Sequence, residues 1–153
     1  MFAYVFCVAL HMTAAAAWVG GMLFFAVVAV PVLRRPEVAA ARPALLSALG
    51  PRFRRYGWIA VALLLVTGVL NLRFRGIDWA TLADRRFWGT GFGHTLAWKL
   101  GFIALALLGS VVHEVAARHG HAGRVASWSG RVILLASLLV VFLAVSLVRG
   151  YWF

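Results

Sequence analysis

Apolar positions fall into four long runs, at about residues 2–33, 56–73, 93–117 and 129–149. Each reaches or approaches the roughly 20 residues that a helix rising 1.5 Å per residue needs to cross a bilayer. Inside a membrane every backbone polar group must be satisfied within the protein, so each run predicts a transmembrane α-helix. The connections, Arg34–Arg55, Arg73–Phe92 and Arg118–Trp128, carry the arginines. Short connections favour antiparallel neighbours. The pattern therefore predicts an all-α integral membrane protein, with residues 1–153 forming a single four-transmembrane-helix up-down bundle. The connection 73–92 contains Ile77, Trp79, Phe87 and Trp88. It is readable either as a short interfacial helix or as a loop.

Composition sharpens this picture. Only 12% of residues are charged, against about 25% in a soluble domain. The net charge of +11 comes from arginines between the apolar runs. They suit orientation and headgroup contact, and the chain is not expected to bind nucleic acid. One side carries nine of them (Arg34, Arg35, Arg42, Arg52, Arg54, Arg55, Arg118, Arg124, Arg131) and the other five (Arg73, Arg75, Arg85, Arg86, Arg149). The richer side is expected to be cytoplasmic, with both termini on the outer, periplasmic side of a bacterial-type inner membrane. Trp58, Trp79, Trp88, Trp128 and Trp152 fall near run ends, as interfacial belts require. The single cysteine, Cys7, excludes an internal disulfide and any CxxC metal motif. The first run is too long for a signal peptide and is expected to be a retained helix.

Candidate chemistry begins with polar residues inside apolar runs. Lys99 lies in the third run, where a lysine costs roughly 2.5–3.5 kcal/mol on insertion scales and needs a partner, a cavity or a role. His11 poses the same question in the first. Cys7, His11, Trp18, Met22 and Phe25 are spaced 4, 7, 4 and 3 apart, which places them on one helix stripe. The small residues Ala14 to Ala17, Gly20 and Gly21 permit close helix approach or leave room for a flat ligand. Counting helical rise in an up-down bundle brings His11, Thr67, Asn71, His94, Lys99 and Ser146 to a common depth in the outer half, so a polar pocket is expected there. His113 stands at the other end of the third run, ahead of the pair His119 and His121.

These segments also carry family resemblances. His11-Met-Thr-Ala-Ala-Ala-Ala-Trp18-Val-Gly-Gly21 resembles the first-helix motif of CopD-like (copper-resistance D) membrane domains. Val66-Thr67-Gly68-Val-Leu-Asn71 and Phe92-Gly93-His-Thr-Leu96-Ala-Trp-Lys99 resemble its later segments. The resemblance spans most of the chain and implies copper handling. A more distant one is to HemJ-type protoporphyrinogen oxidases. It rests on His11 followed seven residues later by Trp18, on Trp98-Lys99, and on the downstream His113. It implies b-type haem and porphyrin redox chemistry. The first helix departs from that pattern by continuing Phe24-Phe25-Ala-Val-Val-Ala-Val-Pro31 rather than with an aromatic-Pro-Arg run.

Three functions stay open. In a haem b redox protein, His11 would be the axial ligand, opposed by His94 or by a neutral Lys99. Lys99 could instead stay charged and hold a propionate, with Trp18 and Gly21 packing the ring and a porphyrin or quinone as redox partner. In a copper protein, Cys7 and His11 at i,i+4 would share the ion, with His94 a further candidate. In a ligand-free accessory subunit, the same polar groups would be interhelical hydrogen bonds. Gly101, Ala104 and Gly109 offer a small-residue face for a homodimer.

Overall fold

The computed structural model describes residues 1–118 and 124–150; His119, His121 and Trp152 lie outside them. Among the described residues every regular element is helical. Helix α1 (Phe2–Phe24) passes through a π-helical turn, Phe25–Ala29, into α2 (Val30–Leu33). Helix α3 is Arg42–Phe74, α4 is Trp79–Ala83, α5 is Arg85–Trp88, α6 is Gly91–Arg118 and α7 is Arg124–Arg149. Four segments are long and apolar enough to cross a membrane: Phe2–Leu33, Arg42–Phe74, Gly91–Ala116 and Trp128–Arg149. The chain resolves into two compact units, Met1–Asp78 and Trp79–Phe153.

The first unit is an antiparallel pair of α1 and α3. Its register is set by ring and glycine contacts. Tyr4 meets Phe74 at 5.7 Å between centroids, and Phe25 meets Phe53 at 4.4 Å. Between them, Gly57 lies under the Trp18 ring and Gly21 under Phe53; a β-carbon at either glycine would come within 2.9 Å of that ring. Glycine is what lets the two aromatic side chains lie flat across the opposing helix. The guanidinium of Arg42 donates to the carbonyl of Leu33, which caps the end of α2. Helix α3 stops where Gly76 adopts φ +77. Its N–H reaches the Arg73 carbonyl and that of Ile77 reaches the Leu72 carbonyl, both at 3.0 Å, a Schellman ending that favours glycine at this position.

Helix α3 begins 14 residues before the apolar run at 56–73 that predicts it. Residues 42–55 are rich in Arg, Ala and Leu, which propagate helix without being apolar enough to signal a span. Pro43 sits in the first turn, where its missing N–H costs nothing.

The second unit pairs α6 with α7. Gly109 lies against Ile133, and Leu96, Ala106, Ala136, Leu143 and Leu147 are buried with them. Gly109 therefore serves packing within the chain, while Gly101 has nothing within 4 Å of where a β-carbon would stand. The connection 73–92 holds two short helices rather than an open loop. Asp84 caps α5 through the Arg86 N–H (2.9 Å), the Trp88 indole donates to the Leu82 carbonyl (2.9 Å), and Thr90 caps α6 through the Gly93 N–H (3.0 Å).

Candidate functional site

His11 and Thr67 face each other across the α1–α3 seam, with Nδ1 2.7 Å from Oγ1. The Thr67 hydroxyl also lies 2.5 Å from the Leu63 carbonyl. A carbonyl cannot donate, so the one hydroxyl hydrogen points to Leu63. Thr67 must then accept from His11, and the proton of the neutral imidazole is on Nδ1. The lone pair is left on Nε2. Histidines that ligate metals commonly donate their other ring N–H to an acceptor in this way, which orients the ring. Gly68 keeps this approach open: a β-carbon there would already touch His11 Cε1 at 3.6 Å.

Two more polar groups lie one turn nearer the Met1 end. Cys7 is buried, and its thiol donates to the backbone carbonyl of Thr67 (3.6 Å). Asn71 follows Thr67 by one turn on the same face of α3, level with Cys7 in the register fixed by Tyr4–Phe74 and His11–Thr67. Its Oδ1 is buried and has no hydrogen-bond partner. The first unit thus brings Cys7, His11, Thr67 and Asn71 to one stretch of seam, closed by Tyr4 and Phe74 at one end and followed inward by Ala14 and Trp18. The stripe expected on α1 is the face that packs on α3: Cys7 and Ala14 are buried, and His11, Trp18, Gly21, Met22 and Phe25 are half-buried. Met12 is 66% exposed on the other side.

In the second unit, Lys99 is half-buried and one turn beyond Thr95 and Leu96, both buried against α7. Ser146 is also buried on the α6–α7 seam, and its hydroxyl donates to the Phe142 carbonyl (3.2 Å). His94 is exposed instead and starts a ring ladder, 6.4 Å from Trp98, which in turn lies 6.2 Å from Phe102. His113 pairs through Nδ1 with the Ser129 hydroxyl at 3.0 Å. It stands 14 residues beyond Lys99 on one helix, about 21 Å away along the axis. The structure therefore does not bring His113 to Lys99. A shallow apolar groove of about 510 Å³ on this pair, lined by Leu105, Leu108 and Val112 among others, includes none of the candidate residues. Among the described residues no group of three or more His, Cys, Asp or Glu is placed to hold a bare metal ion.

Sequence reasoning put His11 and Thr67 at a common depth but did not pair them, and it missed Leu63 and Ser129. The pair follows the hairpin register that the Tyr4–Phe74 contact fixes, since Thr67 lies seven residues back from Phe74 as His11 lies seven on from Tyr4; nothing in the sequence alone sets that register.

Comparison with known proteins finds no family model that matches and no solved structure that matches. One protein from Aquifex aeolicus (strain VF5), described as an uncharacterized protein, is 33% identical over 150 residues, covering 93% of this chain and 93% of its own length. Identity at that level across nearly the whole of both chains shows common descent, and the chain belongs to one family with this Aquifex aeolicus protein.

Proposed function

We propose that this chain is a b-type haem-binding redox protein of the membrane, with His11 as an axial ligand through Nε2. The observation that carries the reading is the Thr67 hydroxyl held between His11 Nδ1 and the Leu63 carbonyl. That relay fixes the tautomer a metal-ligating imidazole needs and orients the ring. A bound haem would supply one-electron chemistry, its potential tuned by ligand identity and burial. Electron transfer, or oxidoreduction of a porphyrin or quinone, would follow. Trp18 lies on the same helix face as His11 and would border the ring, whereas Gly21 is covered by Phe53. Lys99 and His94 belong to the second unit, and the reading rests on the first unit alone.

Copper handling of the CopD type finds less support in the donor set. Copper binding at Cys7 requires a thiolate, and the Cys7 thiol hydrogen is directed at the Thr67 carbonyl. Met12, the nearest thioether in sequence, is exposed on the opposite face.

The reading includes a topology. In it the four candidate spans alternate in direction, with the nine-arginine side in the cytoplasm and both termini outside, in a bacterial-type inner membrane.

The test is haem content after purification in detergent from haem-replete cells. His11→Ala is expected to lose haem while Cys7→Ser keeps it. Retention by His11→Ala at wild-type stoichiometry would overturn the assignment, and loss of bound copper in both variants would support the copper reading instead.

A further inference from the structure

We infer that Asn71 is the second anchor of the His11 site, and that its side-chain amide receives the carboxyl edge of the bound haem; the inference rests on the haem reading above. Three observations place it. Asn71 Oδ1 is buried and has no partner within the protein. Asn71 lies one helical turn from Thr67 on the same face of α3, the face on which Thr67 meets His11. The other polar groups of that seam are engaged: the Cys7 thiol on the Thr67 carbonyl, the Thr67 hydroxyl on the Leu63 carbonyl. An amide carbonyl left unpaired in a membrane span costs free energy that no other part of the fold recovers. A bound molecule that completes the bond recovers that cost.

The chemistry of the missing partner follows from the amide. As an acceptor, Oδ1 takes the O–H of a protonated carboxyl group. Turned by half a rotation, the same amide presents two N–H donors to a carboxylate. A carboxyl group therefore suits Asn71 in either protonation state. Helical rise sets Asn71 about 6 Å along the axis from Thr67, toward the Phe74 end of the span. Haem carries its carboxyl groups on one edge, and a ring ligated at His11 would turn that edge toward the polar end of the helix pair. Asn71 is thus a positioning residue and not a ligand.

An isosteric leucine separates this role from a structural one. In ligand-free protein, Asn71→Leu removes the unpaired carbonyl, so the thermal midpoint in detergent is expected to rise. In haem titration of the same preparations, affinity is expected to fall about tenfold, as for loss of one hydrogen bond to a charged group. The spectrum of whatever haem remains bound should be unchanged, because His11 is untouched. Asn71→Asp, which keeps the acceptor and adds a charge that repels a carboxylate, is expected to weaken haem binding further in the same titration. If Asn71→Leu lowers the ligand-free midpoint, or binds haem within twofold of wild type, Asn71 is a packing residue and the inference falls alone. A wild-type protein that takes up no haem overturns the haem reading and the inference together.

Discussion

At the residue scale, one hydroxyl decides the chemistry of one imidazole. Thr67 gives its only hydrogen to Leu63 and so must accept from His11 Nδ1. Thr67→Val keeps the shape and removes the acceptor. Haem affinity is then expected to drop about 10–100-fold, the usual effect of losing an outer-shell partner, while the reduced bands survive because the ligand is still present. Equilibrium titration with hemin measures this, and unchanged affinity would show that the relay has no part in binding. Cys7→Ser is expected to leave the same titration unaltered, since its contact is to backbone. The sequence made His11, Thr67 and Asn71 visible because polar side chains are rare in apolar runs. It did not reveal which hydrogen bonds they make, because depth along a helix says nothing of rotation about it until a partner fixes the register.

At the element scale, the four spans were legible because hydropathy reports burial in lipid directly. The first part of α3 was not: its arginines and Pro51 read as a connection, although helix propensity alone allows residues 42–55 to continue the helix. The sequence leaves residues 79–88 open between helix and loop; the Asp84 cap of α5 and the Trp88 indole on the Leu82 carbonyl hold them as the short helices α4 and α5. The tight α5–α6 turn makes a sharp prediction. A β-carbon at Gly93 would lie 2.0 Å from the Phe87 carbonyl oxygen, and backbone cannot yield as a side chain can. Gly93→Ala is expected to destabilise the protein by about 2 kcal/mol or more, whereas Gly101→Ala, with nothing within 4 Å, should be neutral or stabilising. Thermal unfolding of both variants in detergent checks the contrast; equal midpoints would contradict it.

At the scale of the whole molecule, two helical hairpins each bury their own seam, and charge at the span ends sets the proposed orientation. The single, buried cysteine makes this easy to test. In a Cys7→Ser background, Ala83→Cys should react with a membrane-impermeant maleimide added to intact cells and Ala40→Cys should not. The reverse pattern would invert the topology. Fold class was readable from the chain because lipid imposes it, and the proposed site less so, because it is a matter of tautomer, ring orientation and a few ångströms. The central claim is the haem, and the most direct measurement is the visible spectrum of wild-type protein purified from haem-replete cells, oxidised and then reduced with dithionite. A Soret band with α and β bands that sharpen on reduction is the predicted result. A colourless protein from such cells would contradict it.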